Sequence, residues 1–109
     1  MSFSFPGMLA RVARYEVPSD RIDEAVDSFG QAAQAVQELD GFAGGYVLVD
    51  HEDGRTMTVT LWDNLAVMDS SESKARSARN EAASAVGGQV LSVEKFEVAQ
   101  ELTARASGV

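Results

Sequence analysis

Few side chains in this 109-residue chain have the chemistry to act on a ligand. The only histidine, His51, stands in Asp50-His51-Glu52-Asp53, four donors in a row that could hold a divalent cation. Successive residues of a turn splay apart, and metal ligands converge from several elements, so a solvated turn is expected there and no metal. Trp62 carries an indole that could stack on a planar molecule, although packing at a strand end is the ordinary role of such a residue. Arg14 and Arg11 interrupt opposite faces of one apolar stretch. An interior arginine is rare unless paired. Arg14 is the one expected to meet a phenolate or carboxylate, with a surface pairing to Glu94 or Glu97 as the alternative. Thr58 and Thr60 alternate with apolar residues in phase with Trp62 and could offer hydroxyls, while Phe96 would add an aromatic wall. Tyr15 and Tyr46 could move a proton, but no side chain is an obvious general base.

Composition narrows the chemistry further. With no cysteine, the chain has no disulfide, no thiolate nucleophile and no thiolate-ligated metal. Nine basic against 17 acidic side chains leave a formal charge of −8, which repels phosphate backbones and anionic lipid heads. Nucleic acid and membrane are therefore not expected partners. Neither a membrane-length apolar run nor a secretory leader is read in the sequence, and a cytoplasmic location is the expectation. The glycines at 41, 44 and 45 do not space as a dinucleotide fingerprint and precede a strand rather than a helix.

These residues must be positioned by a small number of elements. Gly44 to Asn64 reads as a β-hairpin: Tyr46 to Val49 and Met57 to Trp62 are strand-like, and DHEDGR supplies an Asp-Gly turn between them. Met8 to Val17 reads as a strand apolar on both faces. Pro18 ends it, Ser19 is a candidate N-cap, and Ile22, Val26, Phe29, Ala33, Val36 and Leu39 form one helical stripe, with Gly30 marking a close approach to the sheet. After the hairpin, LAVMD begins a short helical turn that could break and restart at Asp69. The following helix presents Ser71, Ala75, Ala78, Ala82 and Ala85, ends at Gly87-Gly88, and leads to a last strand from Gln89 to Val98. Residues 1–7 read as a flexible lead-in, 8–98 as the single domain and 99–109 as a polar tail.

The order β-α-β-β-α-β is the split βαβ arrangement of the ferredoxin-like α+β fold, a four-stranded antiparallel sheet with two helices on one face. Val47, Val49, Met57, Val59 and Leu61 are assigned to one sheet face and Tyr46, Leu48, Trp62, Phe96 and Val98 to the other. An apolar face left open predicts association, most simply a homodimer in which two sheets close around a shared interior.

Gly41-Phe42 after the first helix, the strand Tyr46 to Val49 and the ending Thr60-Leu61-Trp62-Asp63 together resemble the dimeric α/β-barrel superfamily, in particular its antibiotic-biosynthesis-monooxygenase-like domains. The resemblance spans roughly residues 8 to 98. It implies a pocket between helices and sheet, and an activity like that of cofactor-independent oxygenases of polyphenolic substrates. The haem-degrading branch carries an Asn on its first strand and a Trp and an iron-ligating His on its second helix. Here no Trp or His lies between Leu65 and Val86 and the first strand has no Asn, so haem ligation is not carried over. The expectation is a small monooxygenase-like protein that oxidises a planar aromatic or quinone-like molecule without a cofactor, binding it near Trp62, Arg14, Thr58, Thr60 and Phe96. The alternative is a non-catalytic ligand-binding or homo-oligomeric assembly domain.

Overall fold

The computed structural model describes residues 7–104. Part of the expected lead-in (1–6) and the end of the expected tail (105–109) lie outside the described residues. Six main elements follow one another: β1 (Leu9–Glu16), α1 (Ile22–Gln37), β2 (Phe42–Asp50), β3 (Arg55–Trp62), α2 (Leu65–Ala85) and β4 (Gln89–Glu97). The strands pair antiparallel in the order β2-β3-β1-β4, with both helices on one face, which is the ferredoxin-like α+β arrangement. No helix among the described residues is long and apolar enough to cross a membrane.

Local chemistry accounts for the boundaries. Between β2 and β3, Asp50 Oδ1 accepts hydrogen bonds from the backbone N–H of Glu52 at 3.0 Å and of Asp53 at 3.4 Å, while its Oδ2 meets Arg55 Nη2 at 2.6 Å. The acidic tip is thus a self-bonded Asx turn. Ser19 makes no side-chain cap. A single 3-10 turn over Ser19–Arg21 precedes α1 instead, closed by Arg21 N–H donating to the Pro18 carbonyl at 2.9 Å. The expected break near Asp69 does not occur: α2 is continuous, and Asn64 caps it by accepting from the Val67 N–H at 3.0 Å.

The strand register decides which side chains meet the helices. Leu9, Arg11, Ala13 and Tyr15 lie opposite Trp62, Thr60, Thr58 and Thr56, so these eight residues share the covered face. Arg14 lies opposite Met57 and Ser92, and Ala10 opposite Leu61 and Phe96, on the open face. The face assignment made from the sequence is therefore corrected. Tyr46 and Leu48 pair with Val59 and Met57 on the open face, whereas Val47 and Val49 pack under the helices with Tyr15 and Phe29. An irregularity between Phe42 and Gly44 shifts the phase of β2 by one residue, which lets Phe42 meet Trp62 edge-on at 5.4 Å under the helices.

Two apolar clusters fill the covered face. One gathers Tyr15, Phe29, Ile22, Ala25 and Val86 at one end, and the other gathers Val36, Trp62, Met68 and Ala75. In α1 it is Ala25, fully buried, rather than the half-exposed Val26, that joins the first cluster. Gly30 is exposed, and a Cβ built on it would meet nothing within 4 Å, so it does not mark a close approach. Gly41 does: it sits at φ +88°, and an added Cβ would lie 2.5 Å from the Val67 side chain. Gly30→Ala is expected to raise unfolding free energy by about 1 kcal/mol, the helix-interior difference between the two residues. Gly41→Ala is expected to lower it by more than about 1 kcal/mol. Urea denaturation checks both, and a stabilised Gly41→Ala would show that the α1–β2 junction is not strained.

Candidate functional site

Between the two clusters lies a cavity of about 60 Å³ under the helices, walled by aromatic, hydroxyl and guanidinium groups. Strand β1 points Arg11 and Tyr15 into this layer, β3 adds Thr58 and Thr60, α1 adds Phe29 and Val36, and α2 adds Ala75, Ala78 and Arg79. Its helical walls are largely alanine, so the space exists because small side chains stand where larger ones would fill it.

Arg11 is only 3% exposed. Its Nη2 donates to the Met68 carbonyl at 2.7 Å and to Ser71 Oγ at 3.0 Å, and the guanidinium carbon sits 5.3 Å from the centre of the Trp62 ring. Strand β1 is thereby tied to the second turn of α2, and the cation rests against an aromatic face. The Trp62 indole N–H donates to Thr60 Oγ1 at 2.9 Å, which leaves that hydroxyl facing the cavity.

Arg79, 9% exposed, donates from Nη2 to Glu72 Oε2 at 3.0 Å, and Arg76 Nε approaches the same oxygen at 3.4 Å. Glu72 Oε1 lies 3.2 Å from Arg11 Nε. That last pair is close but misaligned, because neither atom has a hydrogen-bond partner among the described residues. Arg79 Nε is also buried without a partner. One carboxylate therefore serves three guanidiniums, and the Nε–H of Arg79 is left without an acceptor.

Burial pushes the Arg11 pKa down, with Arg79 adding to that and Glu72 opposing it. Burial likewise pushes the Tyr15 phenol up, so Tyr15 stays protonated at neutral pH. Its hydroxyl shares a 3.1 Å hydrogen bond with Thr58 Oγ1, and its ring packs against Phe29 at 4.2 Å. Burial alone would raise the Glu72 carboxyl. The Arg79 hydrogen bond and the charges of Arg79, Arg11 and Arg76 outweigh it and hold the carboxyl below its usual range.

The structure splits the five residues that the sequence singles out. Thr58, Thr60 and Trp62 come together on the covered face, and the two threonines line the cavity. Arg14 and Phe96 lie across the sheet, where Arg14 pairs with Glu94 at 2.9 Å and Phe96 is half-exposed. Arg11, the other arginine of β1, occupies the interior position first considered for Arg14, and sequence reasoning missed Arg79. A periodic signal was present, since Ser71, Ala75, Arg79 and Ala82 recur at helical spacing. His51 is exposed on the hairpin, 3.5 Å from Asp23, and no group of three or more metal-ligating side chains occurs among the described residues.

The chain belongs to the antibiotic biosynthesis monooxygenase family, whose sequence model matches residues 8–80. Among curated relatives, two uncharacterized proteins of Mycobacterium tuberculosis, from strains CDC 1551 and H37Rv, are 25% identical over 97 residues. The match takes in 88% of this chain and 43% of each relative, so the chain spans less than half their length. Among solved structures, SnoaB, a cofactor-independent oxygenase from Streptomyces nogalater, superposes with a TM-score of 0.71 at 16% identity, covering 90% of this chain and 99% of SnoaB. A putative antibiotic biosynthesis monooxygenase from Deinococcus radiodurans gives 0.71 at 17% identity, with the same coverage. An MhuD variant with two manganese protoporphyrin IX molecules bound per active site gives 0.69 at 23%, covering 88% and 99%. These structural likenesses establish the fold.

The position of Glu72 has a consequence for acid stability. Its folded pKa lies below the ordinary 4.5, so its contribution is complete above about pH 4.5 and is lost as the pH falls through the depressed value. Wild type is expected to be more stable than Glu72→Gln near pH 7, with the gap shrinking towards about pH 3. Urea titrations at both pH values check this. A gap independent of pH would show that Glu72 is not held as an anion.

Proposed function

We propose that this protein is a cofactor-independent monooxygenase-like enzyme that binds a planar aromatic or quinone-like molecule between its helices and its sheet. One observation carries the reading: buried guanidiniums, a protonated phenol and two threonine hydroxyls converge on a cavity between aromatic side chains. Family membership supports oxygenase-like chemistry. A cytoplasmic setting belongs to this reading.

The chemistry suits a substrate that supplies its own electrons. An anthrone-type carbon acid loses a proton to solvent and becomes a delocalised enolate. Electron transfer from that enolate to dioxygen, followed by carbon–oxygen bond formation and loss of water, converts its CH₂ group to a carbonyl. One oxygen atom is retained and the other leaves as water, so no outside reductant is needed. The protein's part is to orient the ring and stabilise the enolate oxygen. Arg79 Nε–H and the Tyr15 hydroxyl are suited to this, because donors fixed in place before the reaction act most strongly on developing charge. At about 60 Å³ the cavity does not hold a fused ring system, so α1 and α2 must part from the sheet to admit one. Oxygen uptake with a panel of anthrones and quinols tests this reading. Uptake is expected for wild type, with kcat/KM about a hundredfold lower in Arg79→Met, the usual effect of removing an oxyanion donor. No uptake across the panel would remove the enzyme reading.

The open sheet face supports a second, compatible inference of a homodimer. Tyr46, Leu48, Leu91 and Phe96 are 66%, 46%, 58% and 49% exposed on or beside that face. Apolar exposure of this kind favours a partner sheet. Sedimentation at micromolar concentration is expected to give twice the chain mass for wild type and the monomer mass for Leu48→Glu. A monomeric wild type would overturn the dimer, and with it the alternative role as an assembly domain.

A further inference from the structure

We propose that the helix–sheet cavity contains a carboxylate subsite, in which the buried guanidinium of Arg79, with that of Arg11 beside it, takes the ionised acid group of a planar ligand. The inference rests on the reading of this cavity as the ligand site and adds the charge class of the ligand.

Three observations support it. Both guanidiniums line the cavity and are more than nine-tenths buried. Arg11 Nε lies 3.2 Å from Glu72 Oε1, whereas Arg79 Nε has no hydrogen-bond partner among the described residues. A buried charged donor left unpaired is costly, and a missing acceptor is the simplest account of the Arg79 Nε–H. Charge points the same way, since among the described residues Glu72 is the one carboxylate paired with Arg11, Arg76 and Arg79. Asp69 adds a weaker attraction to Arg11 while it pairs with Lys95 at 3.1 Å. This local excess of positive charge is built into a chain of net charge −8, which otherwise repels anions. Size is the third point. About 60 Å³ is room for a carboxylate group. A carboxylate also offers two oxygens to one planar guanidinium, the bidentate match that arginine makes best.

With the helices parted from the sheet, an acid would place its carboxylate at Arg79 and its ring under the helices, against Tyr15 and Phe29.

Benzoate and its neutral isostere benzamide test the subsite by chemical-shift titration of backbone amides in α1 and α2 at fixed ionic strength and neutral pH. Benzoate is expected to shift Ala78 and Arg79 and to bind at least tenfold more tightly than benzamide. Arg79→Met should lose that preference. Glu72→Gln, which removes the competing carboxylate, should tighten benzoate binding severalfold, an outcome that a purely structural role for Glu72 does not produce. Equal affinities for the two probes, or a Glu72→Gln variant that binds benzoate no better, would overturn the subsite. Tighter binding of 4-nitrophenolate than of benzoate would overturn the assignment to a carboxylate. Benzoate selectivity without oxygen uptake would keep the subsite and remove the oxygenase reading, and uptake of neutral anthrones without benzoate selectivity would do the reverse.

Discussion

The covered half of this molecule is arranged around the burial of Arg11. Its guanidinium lies beneath α2, donates to the Met68 carbonyl and to Ser71, and rests on the ring of Trp62. Ser71 Oγ also donates to that same carbonyl at 2.6 Å, so one backbone oxygen anchors both the cation and the helix's own hydroxyl. Burying such an ion costs several kcal/mol after relaxation, and apolar residues of similar volume would usually stabilise a fold at least as well. Stability alone therefore does not account for Arg11. A charge kept inside at that expense, beside a cavity and a second buried arginine, is better explained by something that must be bound.

The same constraint explains why the core is divided. Apolar packing around Tyr15 and Phe29 and around Trp62 and Met68 would be expected to merge in a domain of this size, but the cluster of Arg11, Glu72 and Arg79 stands beside the alanine-lined gap between them. Helix α2 holds both parts, with Met68 and Ala75 on one and Ala82, Ala83 and the adjoining Val86 on the other. The opposite sheet face follows different rules. Arg14 there reaches Glu94 in a half-exposed pair, which contributes little to stability, and the large apolar residues around it wait for a partner surface.

Much of the fold was legible because it rests on local patterns: the Asp-Gly hairpin, the apolar stripe of α1 and the glycines that end α2 each have a short-range cause. The site was less legible, because it depends on phase. Arg11 and Arg14 are three residues apart and so point to opposite faces of β1. Only the pairing of Arg11 with Thr60 and of Arg14 with Met57 shows which one lies under the helices. The face of Val47 and Val49 is likewise a matter of register, since Asp50 pairs with Arg55 across the hairpin and so sets these two valines opposite Thr58 and Thr56. Arg79 was hidden by its type, since an arginine among alanines on a helix reads as a solvated charge until its phase with Ser71 and Ala75 is followed.

The central claim is that Arg11 and Arg79 are fixed, desolvated cations rather than mobile surface groups. Hydrogen exchange of the arginine Nε–H protons with solvent, followed by NMR on the unliganded protein, tests this most directly. Two slowly exchanging Nε–H signals are predicted for Arg11 and Arg79, clearly separated from the rapidly exchanging signals of exposed Arg14, Arg55 and Arg76. Exchange of Arg11 and Arg79 as fast as that of the exposed arginines would contradict the account.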